Sequence, residues 1–112
     1  MKFRTIFNQA AIGMARVNSI TGGFLETNNR FRQLFGYTSE EIKELNIVEV
    51  THPDDLQEDI QKMKQLRNGE ISEFTMEKRI KRKNGELVWV KLTVSPLWQD
   101  GETPTTHIAL IE

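Results

Sequence analysis

The sequence predicts an α+β domain: a five-stranded antiparallel sheet with helices packed on one face and a short helix at the N-terminus. Three observations carry that prediction. Segments of two-residue apolar alternation lie at both ends of the chain, before residue 28 and after residue 72. The stretch between them carries helix caps and helical spacing of its apolar residues. Runs of strand thus stand apart from a run of helix, with no strand–helix alternation of the parallel kind.

Residues 3–11 read as a short amphipathic helix with Phe3, Ile6, Phe7 and Ala10 on one side. Ile12 to Val17 and Phe24 to Thr27 read as two strands joined by a turn at Gly22-Gly23. Asn28 is placed to cap a helix over 29–35, because its side-chain oxygen can accept an orphan N–H, and Gly36 suits the left-handed stop. Thr38 and Glu41 form a capping box for a second helix reaching about Leu45. His52-Pro53-Asp54-Asp55 opens the longest helix, 53–68, since proline is harmless where no N–H partner exists. Its acidic residues gather at the start and its basic ones at the end, as the helix dipole favours. Leu56, Ile60, Met63 and Arg67 give it a stripe that Leu66 widens, and Gly69 ends it. Glu73 to Arg82 alternates with Phe74, Met76 and Ile80 on one face. Asn84-Gly85 signals a hairpin, and Leu87 to Pro96 alternates with Val88, Val90, Leu92 and Val94 inward. Thr106 to Ile111 is the last strand.

The chain has 112 residues, 38% of them hydrophobic and 28% charged, and reads as one domain able to bury its own core. No apolar run is long enough to span a membrane. Without cysteine there is no disulfide, thiolate metal site or cysteine nucleophile. A net charge of −1 argues against a general nucleic-acid binder. The run Lys78-Arg79-Ile80-Lys81-Arg82-Lys83 reads as the solvated face of a strand. No nucleophile elbow, phosphate loop or dinucleotide fingerprint is present. Glu40-Glu41 and Asp54-Asp55 are adjacent pairs that diverge on a helix, so capping explains them better than a catalytic dyad.

Gly36-Tyr37-Thr38-Ser39-Glu40-Glu41, His52-Pro53-Asp54-Asp55, Arg82-Lys83-Asn84-Gly85 and Trp89-Val90, in this order and spacing, resemble a PAS domain with its C-terminal PAC half. The resemblance covers about residues 3–112. With Phe7-Asn8-Gln9-Ala10-Ala11-Ile12-Gly13 and Asn28 it is closest to the PAS domains of bacterial and archaeal sensor histidine kinases and diguanylate cyclases. It departs at Asn29, where the family often has proline. It also stops at Glu112, where the family continues with Asp-Ile-Thr and a helical linker. The resemblance therefore implies a single domain, 1–112, excised from a larger multidomain signalling protein. It would be a cytoplasmic sensory module, not itself an enzyme. It would sense a small ligand or partner and relay the signal to a C-terminal effector, in the first instance a histidine kinase of a two-component system. The alternative is a ligand-free dimerisation module in a diguanylate cyclase or other signalling protein. A homodimer is implied, without nucleic acid and without membrane contact by this domain.

In this family the ligand site is the cleft between helices and sheet. The resemblance places Phe35, Ile47, Met63, Leu66, Met76, Val90, Leu92 and Val94 near it. No cofactor is expected. Flavin chemistry through a cysteine adduct is excluded, and the absence of histidine from 53–68 argues against haem. An unidentified small ligand stays open, although no compelling polar residue is seen to line the cleft. His52 is expected to cap its helix, and His107 to lie at the surface or an interface. Alternation turns Trp89 away from the helices with Lys91 and Thr93. Phe3, Ile6 and Phe7, or a second subunit, are expected to cover it, making these residues the dimer and relay surface.

Overall fold

Residues 7–112 are described in the computed structural model, so Phe3 and Ile6 lie outside the described residues. Five strands form one antiparallel sheet: β1 (Gly13–Asn18), β2 (Phe24–Thr27), β3 (Phe74–Lys81), β4 (Leu87–Pro96) and β5 (Thr106–Ile111). Their spatial order is β2-β1-β5-β4-β3, so the last strand sits in the middle. Four helices connect β2 to β3: α1 (Asn29–Phe35), α2 (Ser39–Ile42), α3 (Ile47–Val50) and α4 (Pro53–Arg67). Of the predicted N-terminal helix, the described part is helical only over 7–9.

Local chemistry sets the helix bounds. Asn28 Oδ1 accepts from Phe31 N at 2.9 Å, and Gly36 closes α1 at φ 82°. The Thr38–Glu41 capping box forms as expected, but α2 ends at Ile42. A second box, Asn46 with Glu49, starts α3. His52 Nδ1 accepts from Asp54 N at 3.0 Å, so its capping role holds. At the far end of α4, Glu70 N donates to Gln65 O and Gly69 N to Leu66 O, with Gly69 at φ 77°.

Two expectations change in detail. The buried side of α4 is Asp59, Met63 and Leu66, whereas Ile60 is 40% exposed. Met63 and Leu66 keep the expected side, and Asp59 takes the inward place of Ile60, where it meets Lys78 of β3. In the β3–β4 turn, Gly85 N donates to Arg82 O at 2.8 Å and Gly85 alone takes positive φ, 88°. The turn is thus not the two-residue Asn-Gly type, which needs positive φ at Asn84 as well.

The core lies between the helices and the inner sheet face. Its centre is a cluster of Phe24, Phe31 and Phe35, with ring centroids 4.6 Å apart for Phe31–Phe35 and 5.4 Å for Phe24–Phe31.

Candidate functional site in the helix–sheet cleft

Strand alternation decides what faces the cleft. On β3 the inward residues are Phe74, Met76, Lys78 and Ile80, and on β5 they are His107, Ala109 and Ile111. Lys78 is therefore not on a solvated face: it is 4% exposed. Its Nζ donates to Asp59 Oδ2 at 2.6 Å and to Thr51 Oγ1 at 3.0 Å. Asp59 comes from α4 and is 2% exposed. Thr51 is brought in by its bridge to Ile80.

His107 is likewise buried rather than at the surface. Register places it opposite Val17 on one side and Pro96 on the other, in the middle of the sheet. Its Nδ1 lies 2.8 Å from Ser19 Oγ. Burial pushes its pKa down to about 4; the Asp59 charge opposes that, and Arg67 and Lys78 add to it. The imidazole is neutral near pH 7. Asp59, Lys78 and His107 thus make a polar patch on the cleft wall, contrary to the expectation of a wholly apolar lining.

A void of about 30 Å³ remains in the cleft, which is room for about one water. Phe35, Ile47, Met63, Leu92 and Val94 border it. Leu66, Met76 and Val90 are buried in the core but do not line it. The Phe24 and Phe31 rings and the polar triad do line it and were not anticipated. The signal was present: Lys78 shares the parity of Met76 and Ile80, and Asp59 falls three residues after Leu56 and four before Met63.

On the outer sheet face, Trp89 is 62% exposed, with the Arg79 guanidinium 4.8 Å from its ring centroid. Asp55 clamps that guanidinium through both oxygens, each at 2.9 Å. The hydrogen bonds from Arg79 pull the Asp55 pKa down to about 2. Phe7 is buried, and its carbonyl accepts from Asn28 Nδ2. It borders a hollow with Leu25 and Thr27, whereas Trp89 borders another with Ala11, Ile12 and Leu34.

Comparison with known proteins agrees with this architecture. A family model for the PAS fold matches residues 24–110. The chain is 41% identical over 110 residues to the probable diguanylate cyclase DgcE of Escherichia coli (strain K12), covering 98% of this chain and 10% of that protein. It is 21% identical over 111 residues to the sensor histidine kinase TmoS of Ectopseudomonas mendocina, covering 99% of this chain and 11% of that one. The chain thus spans about a tenth of the length of these curated relatives. Among solved structures, a PAS domain from Colwellia psychrerythraea superposes with a TM-score of 0.83 at 16% identity, over 96% of this chain and 90% of that one. That likeness speaks for the fold alone. The family match takes in β2, β3 and β4 whole, most of β5 and all the cleft-forming helices, and the chain belongs to the PAS-fold family.

Proposed function

We propose that this PAS domain is a sensory module whose cleft takes a small molecule and whose bound state biases an attached effector. One observation carries the reading: the cleft wall holds a buried Asp59–Lys78 ion pair and a buried neutral His107 beside an otherwise apolar void. Buried charges are expensive to desolvate, and an apolar filling would serve a mere spacer at least as well. Cavities that bind small molecules combine an apolar lining with a few placed polar groups. The ligand would bias how α4 packs on the sheet and so shift the effector between two states.

The 41% identity to a segment of a probable diguanylate cyclase favours a cyclase as the effector; a histidine kinase, supported by the 21% match, is the second reading. Either would act in the cytoplasm. No helix among the described residues is long and apolar enough to cross a membrane. Homodimerisation through the Trp89 face belongs to the same proposal.

The test is native against denaturing mass spectrometry of the purified domain, before and after exposure to a small-metabolite extract, with an absorbance scan to the red. An added mass that vanishes on denaturation is the expected result. Bare protein mass in every sample would overturn the reading in favour of a ligand-free dimerisation module. A coloured species would support ligand sensing and name haem or flavin as the ligand.

A further inference from the structure

We infer that the cleft takes a small monocarboxylic acid with an apolar body, which enters beside α4 and leaves its carboxylate between Arg67 and His107. The inference rests on the reading of the cleft as a ligand site and adds the ligand's chemical class and route.

A second hollow, of about 170 Å³, opens to solvent between the β1–β2 loop, α3 and α4. It shares Ile47, Met63 and His107 with the inner void, so three side chains form the wall between the two chambers. Met63 is unbranched and adaptable, and can turn aside without moving backbone. The outer chamber is therefore a vestibule.

Its rim is apolar to an unusual degree. Ile20, Val48 and Ile60 are 67%, 53% and 40% exposed, and all three border the vestibule. Exposed apolar side chains gathered at one opening mark a binding mouth more than an ordinary surface.

Charge selects the head group. Inside, Lys78 is neutralised by Asp59 and His107 is uncharged near pH 7. A second charge placed there would be buried without a partner. In the vestibule, half-buried Arg67 donates one hydrogen bond, to Ser19 O at 3.1 Å, and has no acidic partner among the described residues. His107 Nε2 makes no hydrogen bond among the described residues, because Ser19 engages Nδ1 only. In the tautomer where the Ser19 hydroxyl donates to Nδ1, Nε2 carries the ring proton, and one unpaired cation beside that N–H fits one carboxylate, not a dianion and not an amine. The apolar rim and the Ile47 and Met63 wall of the vestibule fit the rest of such a molecule, whose bulk matches the vestibule and not the one-water void behind it.

The experiment titrates the intact domain with hexanoate, 1-hexanol and hexylamine, read by calorimetry and by amide chemical shifts. The expected result is hexanoate binding at least about tenfold tighter than either control, with shifts at His107, Met63 and Arg67. Arg67→Gln is expected to abolish that preference, and Arg67→Lys to retain most of it. Equal binding of hexanol and hexanoate, or a preference that survives Arg67→Gln, would overturn the acid class while leaving the cleft a ligand site. Hexanoate shifts confined to residues outside both chambers would overturn the route as well. If none of the three probes binds, the acid class fails, and the mass-spectrometric result decides separately whether the sensory reading fails with it.

Discussion

Asp59 and Lys78 hold opposite charges 2.6 Å apart where both are almost free of water. Such a pair is costly to break and inexpensive to replace. Asp59→Ala leaves the ammonium with Thr51 alone and is expected to lose about 3–5 kcal/mol in urea unfolding. Asp59→Leu combined with Lys78→Met should be near neutral or stabilising. A single-variant loss under about 1 kcal/mol would show that the pair behaves as a surface one. His107 makes a pH prediction. Its folded pKa is about 4 against an ordinary 6.5, so the unfolded chain binds the proton more readily. The contribution is complete above pH 6.5 and lost as pH falls towards about 4, by up to about 3 kcal/mol. Asp55, lowered from 3.8 to about 2, is lost in a separate window at more acid pH. Unfolding midpoints measured across pH should therefore fall in two steps, and His107→Gln should flatten only the upper one. His107 was not legible from its strand, because Thr106 to Ile111 offers apolar residues on both faces and alternation alone cannot choose the inner one.

At the scale of the element, Asn28 shows how a local signal acquires a tertiary role. The cap on α1 was readable from spacing. The structure gives the same side chain three more bonds: Oδ1 accepts from Met14 N, and Nδ2 donates to Phe7 O and Ile12 O. One fully buried amide thereby ties β1, the start of α1 and the chain entering the domain. Asn28→Ala should cost about 3 kcal/mol or more, against about 1 for a cap alone. Chemical denaturation measures it, and a loss near the lower figure would mean that the other three bonds are replaced by water. Helix α3 went unread because four residues show no periodicity, and only the Asn46–Glu49 spacing announced it. Gly13 has a reason invisible in sequence: a Cβ there would meet Phe31 Cα at 3.2 Å, so α1 rests directly on β1.

At the scale of the whole molecule, the homodimer proposed above would use the exposed face of the sheet. Trp89 and Leu87 are 62% and 47% exposed on β4. In the proposed homodimer, Trp89→Ala is expected to shift sedimentation from dimer to monomer and to make the unfolding midpoint independent of protein concentration. A monomeric unsubstituted domain, or a dimer that persists in the variant, would remove this surface from the proposal. The cation–π contact with Arg79 leaves most of the indole open, so it does not replace such a cover.

The sequence by itself determined the order of the strands and of α1, α2 and α4, the caps of those three helices, the apolar inward residues of β3 and β4, and the family. Each of these rests on spacing of about two or 3.6 residues or on a side chain bonding its own neighbourhood, both written locally. Tertiary structure alone decided that β5 lies between β1 and β4, that His107 is therefore interior, and that Asp59 meets Lys78 from another element. Backbone hydrogen bonds across a sheet do not depend on side-chain identity, so strand order is left to global packing. A buried charge becomes intelligible only when its partner, 19 residues away along the chain, arrives beside it.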